Sequence, residues 1–210
     1  MIPQTCTDFI IDEETGGEAY YNRFACHPVW PGGVSGITIG VGYDLGQQSA
    51  AGFQQDWGTS LPAAAIQALL PVIGVRGGTD AADAQLQALV KGLAGITIPW
   101  DVANQVFATD TLPTYEQRTI AAFPGADKLN GLCLGALVSL VYNRGPGLVG
   151  PSRTEMQAIH DLIVAGTPAG VPGQFRAMKR LWPSVPGLQK RRDAEADMFQ
   201  QGLDAGAPVA

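Results

Sequence analysis

The most apolar stretch of the chain runs Leu132-Cys133-Leu134-Gly135-Ala136-Leu137-Val138-Ser139-Leu140-Val141-Tyr142. A helix built from this stretch carries apolar side chains on every side, so the pattern predicts a buried helix surrounded by other helices. Its eleven residues are fewer than the roughly 20 that cross a bilayer. The stretch therefore indicates the centre of a helical core.

Helical patterns extend on both sides of this centre. The periodicity predicts helices at 6–14, 19–24, 47–57, 62–72, 81–93, 99–112, 113–123, 132–143, 154–164, 173–181 and 188–201. The convincing β signal is Gly36-Ile37-Thr38-Ile39-Gly40-Val41-Gly42-Tyr43, where β-branched residues alternate with glycine. We therefore expect a mainly α protein with one or two short strands near its N-terminus.

The charge balance argues against a nucleic-acid partner. The 210 residues carry a formal net charge of −6 and the pI is about 4.8, whereas binding to a polyanion needs clustered Lys and Arg. No apolar run approaches the length of a membrane span, and residues 1–8 lack the basic and apolar regions of a signal peptide. We expect neither a nucleic-acid partner nor a membrane span.

The cysteines and histidines offer little reactive chemistry. Cys6, Cys26 and Cys133 show no CxxC spacing and cannot all pair with one another. We expect reduced, mostly buried thiols, with one disulfide plus a spare thiol as the alternative. With only His27 and His160 in the chain, a Ser-His-Asp triad or a histidine-rich metal site is not expected.

Carboxylates are the remaining candidates for catalysis. Asp12, Glu13, Glu14 and Glu18 fall within seven residues at the predicted end of the first helix, where the helix dipole disfavours negative charge. One interpretation is a solvated acidic helix end. The other is that one of these acids lies in a cleft with a raised pKa, as a general acid working near neutral pH requires.

A second group of candidates surrounds the end of the β segment. Asp44 directly follows this segment, Thr38 lies six residues before it, and Gly40 and Gly42 leave space for a ligand to approach. The structural alternatives are that Asp44 caps the next helix and that Thr38 is an ordinary strand residue. One acid, one carboxylate and a positioned water are what inverting glycoside hydrolysis requires.

Three blocks of the sequence resemble the phage-type lysozymes of glycoside hydrolase family 24, and most closely their pesticin-like branch. An acid followed by Ala19-Tyr20-Tyr21 and then by Ser35–Gly46 is similar to the family's E…AY…TIGxG arrangement. Ala136–Gly145 is similar to the family's buried helix with its polar C-terminal end. Gly187-Leu188-Gln189-Lys190-Arg191-Arg192-Asp193-Ala194-Glu195 resembles its GLxxRRxxE helix.

This resemblance implies roles for individual residues. The general acid falls on Glu14, or on Glu13, since each stands seven positions before a tyrosine of the Tyr20-Tyr21 pair. The pattern E-x-x-x-x-A-Y-Y favours Glu14. Thr38 matches the family threonine. The common phage enzymes place the second carboxylate before this threonine, but the pesticin-like branch places it afterwards, where Asp44 stands.

The resemblance also implies substrate contacts and an architecture. Tyr43, Tyr21 and Asn143 are the expected substrate-binding residues, and many relatives have histidine at the position of Tyr43. The implied α+β lysozyme-like fold is one catalytic domain over residues 1–205. Its lobes lie at roughly 1–75 and 76–205 with a cleft between them, and a tail follows at 206–210.

The implied activity is a muramidase. It would cleave the β-1,4 bond between N-acetylmuramic acid and N-acetylglucosamine in peptidoglycan by inversion, as a monomer without a metal or organic cofactor. The protein would be made in the cytoplasm and act in the periplasm or on the cell wall, released by a route that the sequence does not reveal. Two alternatives remain open, a chitinase- or chitosanase-like glycan hydrolase and a non-catalytic peptidoglycan-binding module.

Overall fold

The computed structural model describes residues 2–206, and the protein is mainly helical, as the sequence predicts. These residues form eleven α-helices and one two-stranded antiparallel sheet. The helices are α1 (Gln4–Thr15), α2 (Glu18–Phe24), α3 (Ala50–Trp57), α4 (Ala63–Leu69), α5 (Asp80–Gly92), α6 (Trp100–Val106), α7 (Leu112–Ala122), α8 (Gly131–Arg144), α9 (Thr154–Val164), α10 (Val171–Ala177) and α11 (Pro186–Asp204). The strands are β1 (Thr38–Ile39) and β2 (Tyr43–Asp44). Apart from Gly206, the predicted tail at 206–210 lies outside the described residues.

At one end of each of four predicted helices the structure has a turn of different pitch. The 3-10 turns Leu45–Gln47, Leu70–Val72 and Met178–Leu181 occupy parts of three of them, and the π-helical turn Phe107–Thr111 follows α6. In the first case the cause is local, because the Ser49 side chain accepts a hydrogen bond from Gly52 N and so starts α3. The hydrophobic periodicity of a sequence shows which face of a helix is apolar, but it does not show whether a single turn is α-, 3-10- or π-helical.

Contacts within the chain divide it into two compact units. The first comprises the described residues of Met1–Ile10 and Leu112–Ala210, and the second is Ile11–Thr111. These bounds differ from the expected lobes at 1–75 and 76–205. The physical reason is that the beginning of α1 packs with the C-terminal helices, whereas residues 76–111 belong to the unit that contains the strands.

The first unit is built around α8, whose residues Cys133–Val141 are all buried. α8 packs against α7 and α11, and α10 packs against α9 and α11. α1 approaches α8 closely because residue 135 is glycine: a Cβ there would lie 2.3 Å from Cys6 Sγ and 2.6 Å from Cys6 Cβ. The expectation of a central buried helix is confirmed. Cys6, Cys26 and Cys133 are free and buried, also as expected.

A buried ionic cluster joins α8 to α11. Glu195 is fully buried, and its Oε1 accepts hydrogen bonds from Ser139 Oγ at 2.6 Å, Arg192 Nη2 at 2.8 Å and Arg191 Nε at 3.3 Å. Burial raises the pKa of the Glu195 carboxyl, while the two guanidinium groups and the Ser139 hydroxyl oppose that rise. Removing one partner from such a cluster typically costs about 3–5 kcal/mol.

The second unit contains the strands and α2 to α6. β1 pairs with β2 in antiparallel register, Thr38 opposite Asp44 and Ile39 opposite Tyr43. The connecting turn has positive φ at Gly40 (55°) and Gly42 (68°), a conformation that side chains other than glycine rarely adopt. A Cβ at Gly40 would lie 2.7 Å from the Trp57 ring. The space beside Gly40 is therefore filled by Trp57, which corrects the expectation that it admits a ligand.

None of the helices formed by residues 2–206 is long and apolar enough to cross a membrane.

We predict that Gly135→Ala destabilises the protein, because the added methyl group has no room against Cys6. Overpacking a core typically costs about 1–3 kcal/mol in the free energy of unfolding, measurable by urea denaturation. Gly173→Ala is the matched control, since Gly173 lies in α10 with no neighbouring atom within 4 Å. It is expected to be neutral or stabilising by up to about 1 kcal/mol. Equal stabilities for the two variants would contradict the close α1–α8 packing.

Candidate functional site

Glu14 lies on the buried side of α1, and its acidic neighbours do not. Along α1, Cys6 and Ile10 are buried with a spacing of four residues, and Glu14 continues this series at the C-terminal end. Residues four apart lie on the same helix face, so Glu14 is partly buried while Asp12 and Glu13 are exposed. This difference supports Glu14 over Glu13 as the residue held in a defined environment.

The end of α1 is fixed by backbone conformation. Gly16 and Gly17 have φ of 73° and 84°, and Gly16 N donates to Asp12 O at 2.8 Å. The Thr15 hydroxyl donates to Ile11 O at 2.7 Å and accepts from Gly17 N at 3.2 Å. The predicted stop at Gly16-Gly17 is confirmed. Glu14 therefore sits one residue before a rigid helix terminus, which limits the positions that its carboxyl group can take.

Thr38 and Asp44 are brought together by the strand register. They are directly opposite in the β1–β2 pair, so their side chains lie on the same face of the sheet. The Thr38 N–H donates to Val29 O at 2.7 Å and Val29 N donates to Thr38 O at 3.0 Å. Because these backbone groups face Val29, Thr38 and Asp44 form the closer type of antiparallel pair, with Cα atoms about 4.5 Å apart.

The Thr38 hydroxyl and the Asp44 carboxylate differ in what already binds them. Within residues 2–206 the Thr38 hydroxyl makes no hydrogen bond. Asp44 Oδ1 accepts from Gly36 N at 3.0 Å and Gly46 N at 2.9 Å, and Oδ2 accepts from Gln47 Nε2 at 2.8 Å. A carboxylate has about four acceptor sites, so Oδ2 keeps one for a further donor.

The two backbone hydrogen bonds of Asp44 hold two chain segments in direct contact. A Cβ on Gly36 would lie 2.5 Å from Gly46 Cα, and a Cβ on Gly46 would lie 2.7 Å from Val75 O. Asp44 also caps the 3-10 turn that follows it. The structural alternative considered for Asp44, a helix cap, is therefore present. A catalytic role for the same carboxylate stays a prediction.

Tyr43 and Tyr21 are both buried in the second unit. The Tyr43 hydroxyl donates to Asp56 Oδ2 at 2.6 Å, and its ring meets Trp57 edge-on with centroids 5.6 Å apart. Burial raises the pKa of Tyr43, and the contact with Asp56 raises it further. The Tyr21 hydroxyl donates to Ile98 O at 3.0 Å. These contacts give both rings a structural role, and substrate binding by either stays a prediction.

Asn143 lies in the first unit, near the C-terminal end of α8. Its Oδ1 accepts from Arg192 Nη2 at 3.3 Å, and its side chain lines a pocket of about 390 Å³. The structure thus places Glu14, Thr38, Asp44, Tyr43 and Tyr21 in one unit and Asn143 in the other.

Sequence reasoning missed three residues that line the same pocket as Asn143, namely Arg144, Arg153 and Trp182. The sequence does signal the neighbouring ion-pair cluster, since Arg191 and Arg192 stand four and three residues before Glu195, spacings that form ion pairs on a helix. Arg153 and Trp182 reach Arg144 only through tertiary packing, Arg153 at the Arg144 carbonyl and Trp182 at its guanidinium.

We predict that Asp44→Ala lowers the free energy of unfolding by about 1–3 kcal/mol, because it leaves the N–H groups of Gly36 and Gly46 without an acceptor. Asp44→Asn keeps one oxygen for these donors, so a smaller loss is expected. Gln47→Ala removes only the exposed Oδ2 partner and should change stability by less than about 0.5 kcal/mol. Urea denaturation measures all three. A loss for Gln47→Ala as large as for Asp44→Ala would contradict this assignment of the backbone contacts.

No protein-family model matches the chain, and no curated protein matches it at a significant level.

Proposed function

We propose that the protein is a peptidoglycan hydrolase that cleaves the β-1,4 bond between N-acetylmuramic acid and N-acetylglucosamine. Glu14 acts as the general acid, and Thr38 with Asp44 holds the attacking water. The proposal includes a location in the periplasm or on the cell wall, and it treats the three residues as one site in the unit Ile11–Thr111.

The observation that carries this proposal is the selective burial of Glu14. Among the four acidic residues between 12 and 18, Glu14 is partly buried and the other three are exposed. A general acid has to be held in a defined position beside the leaving oxygen, and a partly buried side chain at a helix end is more restricted than an exposed one. An acidic cluster that served only for solubility would place all of its carboxylates in water.

The pairing of Thr38 with Asp44 supplies the second half of the chemistry. The Thr38 hydroxyl is available both to donate and to accept, and Asp44 Oδ2 retains an acceptor site beside it. A water held between them would donate one proton to the carboxylate as its oxygen attacks the anomeric carbon. At the same time Glu14 would protonate the leaving glycosidic oxygen, as inverting hydrolysis requires.

One observation favours the non-catalytic alternative. Asp44 has three hydrogen-bond donors within its own unit, so its presence is explained without any reaction. A binding module that resembles a lysozyme would keep this carboxylate for stability alone. The activity of Glu14 variants separates the two cases, since Glu14 makes no contribution to the Asp44 contacts.

We predict that Glu14→Gln reduces the lysis of cell-wall suspensions by roughly 10²–10⁴-fold, the contribution usual for general acid catalysis. The substitution keeps the side-chain volume and removes the transferable proton. Glu13→Gln is the matched control, because Glu13 is the exposed neighbour on the same helix. It is expected to retain activity. Loss of activity in Glu13→Gln with retention in Glu14→Gln would move the acid by one residue, and absence of lysis by the wild-type protein would favour a binding module.

Product analysis tests the bond that is cleaved. Digested peptidoglycan should carry new reducing ends on N-acetylmuramic acid, and chitin oligosaccharides should be cleaved poorly. Efficient cleavage of chitin with little release from peptidoglycan would support the chitinase-like alternative.

We further predict inversion at the anomeric carbon. With a water between Asp44 and the sugar, the carboxyl groups of Glu14 and Asp44 should be about 6.5–9.5 Å apart, compared with about 5–5.5 Å in retaining enzymes. Proton NMR of the first product formed should therefore show the α anomer. Initial appearance of the β anomer would require a covalent intermediate or assistance by the substrate, and would remove Thr38 and Asp44 from the proposed roles.

A further inference from the structure

The pocket at the C-terminal end of α8 concentrates positive charge in an acidic protein. It is lined by Asn143, Arg144, Ser152, Arg153, Leu181 and Trp182, all in the first unit, and has a volume of about 390 Å³. We call it the Arg144 pocket. The whole chain carries a formal net charge of −6, so the local excess of guanidinium groups is opposite in sign to the rest of the molecule.

Two arginines of the Arg144 pocket have no carboxylate partner. Arg144 Nη2 donates to Ser152 O, and Arg153 Nη2 donates to Arg144 O at 2.6 Å. Arg153 Nη1 contacts only the weak acceptor Met156 Sδ at 3.1 Å. Within residues 2–206 neither arginine forms an ion pair. Carbonyl oxygens satisfy individual N–H groups but leave both positive charges without a counter-ion.

The arginines that surround Arg144 make its environment more positive. Arg153, Arg192 and Arg180 repel its charge, and of the nearby carboxylates Glu155 attracts it. Glu155 is itself engaged by Arg180, whose Nη2 donates to Oε2 at 3.0 Å. Burial, followed by this repulsion, lowers the pKa of Arg144 to about 10. Arg144 therefore stays charged at neutral pH, in a place where the fold disfavours its charge.

Two donor groups on residues that line the Arg144 pocket have no partner within residues 2–206. The buried Arg144 Nε has no hydrogen-bond partner within the described chain. The Asn143 amide nitrogen likewise makes no hydrogen bond in residues 2–206, because only its Oδ1 is engaged, by Arg192. Trp182 fixes the arginines from one side, with its ring centre 4.8 Å from Arg144 Cζ and 5.7 Å from Arg192 Cζ. Guanidinium and amide donors around one space match the acceptors of an oxyanion.

We propose that the Arg144 pocket binds an oxyanion, held by Arg144 and Arg153 with the Asn143 amide as a further donor. Its volume exceeds that of a simple ion, so the anionic group can belong to a small molecule whose remainder lies against Trp182. Two sources of this chemistry are a carboxylate on a sugar and free inorganic phosphate. The proposal concerns the first unit alone and does not depend on the proposed hydrolase activity.

The alternative explanation is purely structural: these arginines only cap the C-terminal end of α8. Cationic side chains at a helix C-terminus are favourable and hydrogen-bond the last carbonyl groups, as Arg153 does with Arg144 O. Capping accounts for one guanidinium at this terminus. It does not account for two guanidinium groups, those of Arg144 and Arg153, that lack a carboxylate partner. Nor does it account for Arg192, whose guanidinium lies over the same Trp182 ring as that of Arg144. Ligand binding distinguishes the explanations, since a cap alone gives no specific affinity for anions.

Isothermal titration calorimetry with the full chain at constant ionic strength tests the proposal. The probes are inorganic phosphate, N-acetylmuramic acid and N-acetylglucosamine, and the two sugars differ in the carboxylate that only the first carries. We expect phosphate or N-acetylmuramic acid to bind and N-acetylglucosamine not to bind. Preference for N-acetylmuramic acid would identify a sugar carboxylate as the source, and preference for phosphate would identify the free ion. Equal binding of both sugars, or binding of none of the three, would overturn the proposal.

Two variants locate the site. Arg153→Gln should weaken binding by about tenfold or more, because it removes a charge-assisted contact. Lys128→Gln makes the same change in net charge on an exposed residue outside the Arg144 pocket and should bind like the wild type. Should Arg153→Gln fail to fold, Arg153→Lys keeps the charge but loses the planar donor pair, and should bind more weakly. Unchanged affinity in the folded Arg153 variant, or equal losses in Arg153→Gln and Lys128→Gln, would overturn the proposal.

Discussion

A buried carboxylate must find donors inside the protein, and the arrangement of α8 and α11 depends on how Glu195 does so. Ser139 on α8 and two arginines on α11 direct their donors to one oxygen of Glu195. Because the carboxylate is fully buried, the two helices keep a single relative rotation: turning either one would separate a buried charge from its partners. Packing of apolar side chains alone would tolerate several rotations of a helix that is apolar on every side.

The same ionic cluster contributes positive charge to the neighbouring Arg144 pocket. Arg192 uses one guanidinium nitrogen for Glu195 and also contacts Asn143 and Trp182. A structural arginine thereby places positive potential beside Arg144, which has no carboxylate partner among the described residues. Part of the positive potential in the Arg144 pocket thus comes from Arg192, an arginine that the buried Glu195 requires. The unmatched charge of Arg144 adds to a cluster in which Arg191 and Arg192 already share one carboxylate, that of Glu195.

In the second unit a carboxylate, that of Asp44, also stabilises the local structure, here at the two-stranded sheet. A two-stranded sheet of four residues has little stability of its own, and Asp44 reinforces it by binding two backbone N–H groups from segments that touch through glycines. A residue used in this way is held in one orientation. Fixed orientation is also what a water-positioning carboxylate needs, so the structural contacts of Asp44 are compatible with the proposed reaction. They also mean that activity and stability have to be measured together in Asp44 variants.

The sequence by itself determined the helical class, the buried helix predicted at 132–143, the stop at Gly16-Gly17 and the short β segment predicted at 36–43. Each depends on local periodicity, capping or backbone conformation, which neighbouring residues specify. It also predicted Glu14 over Glu13 as the acid; Glu14 is the more buried of the two, and its catalytic role stays a prediction. Tertiary structure alone decided which parts of the chain form each unit, the burial of Trp57 against Gly40 and the convergence of Arg144, Arg153 and Trp182. These features join residues far apart in sequence, and their energies come from desolvation and packing, which composition and spacing do not encode.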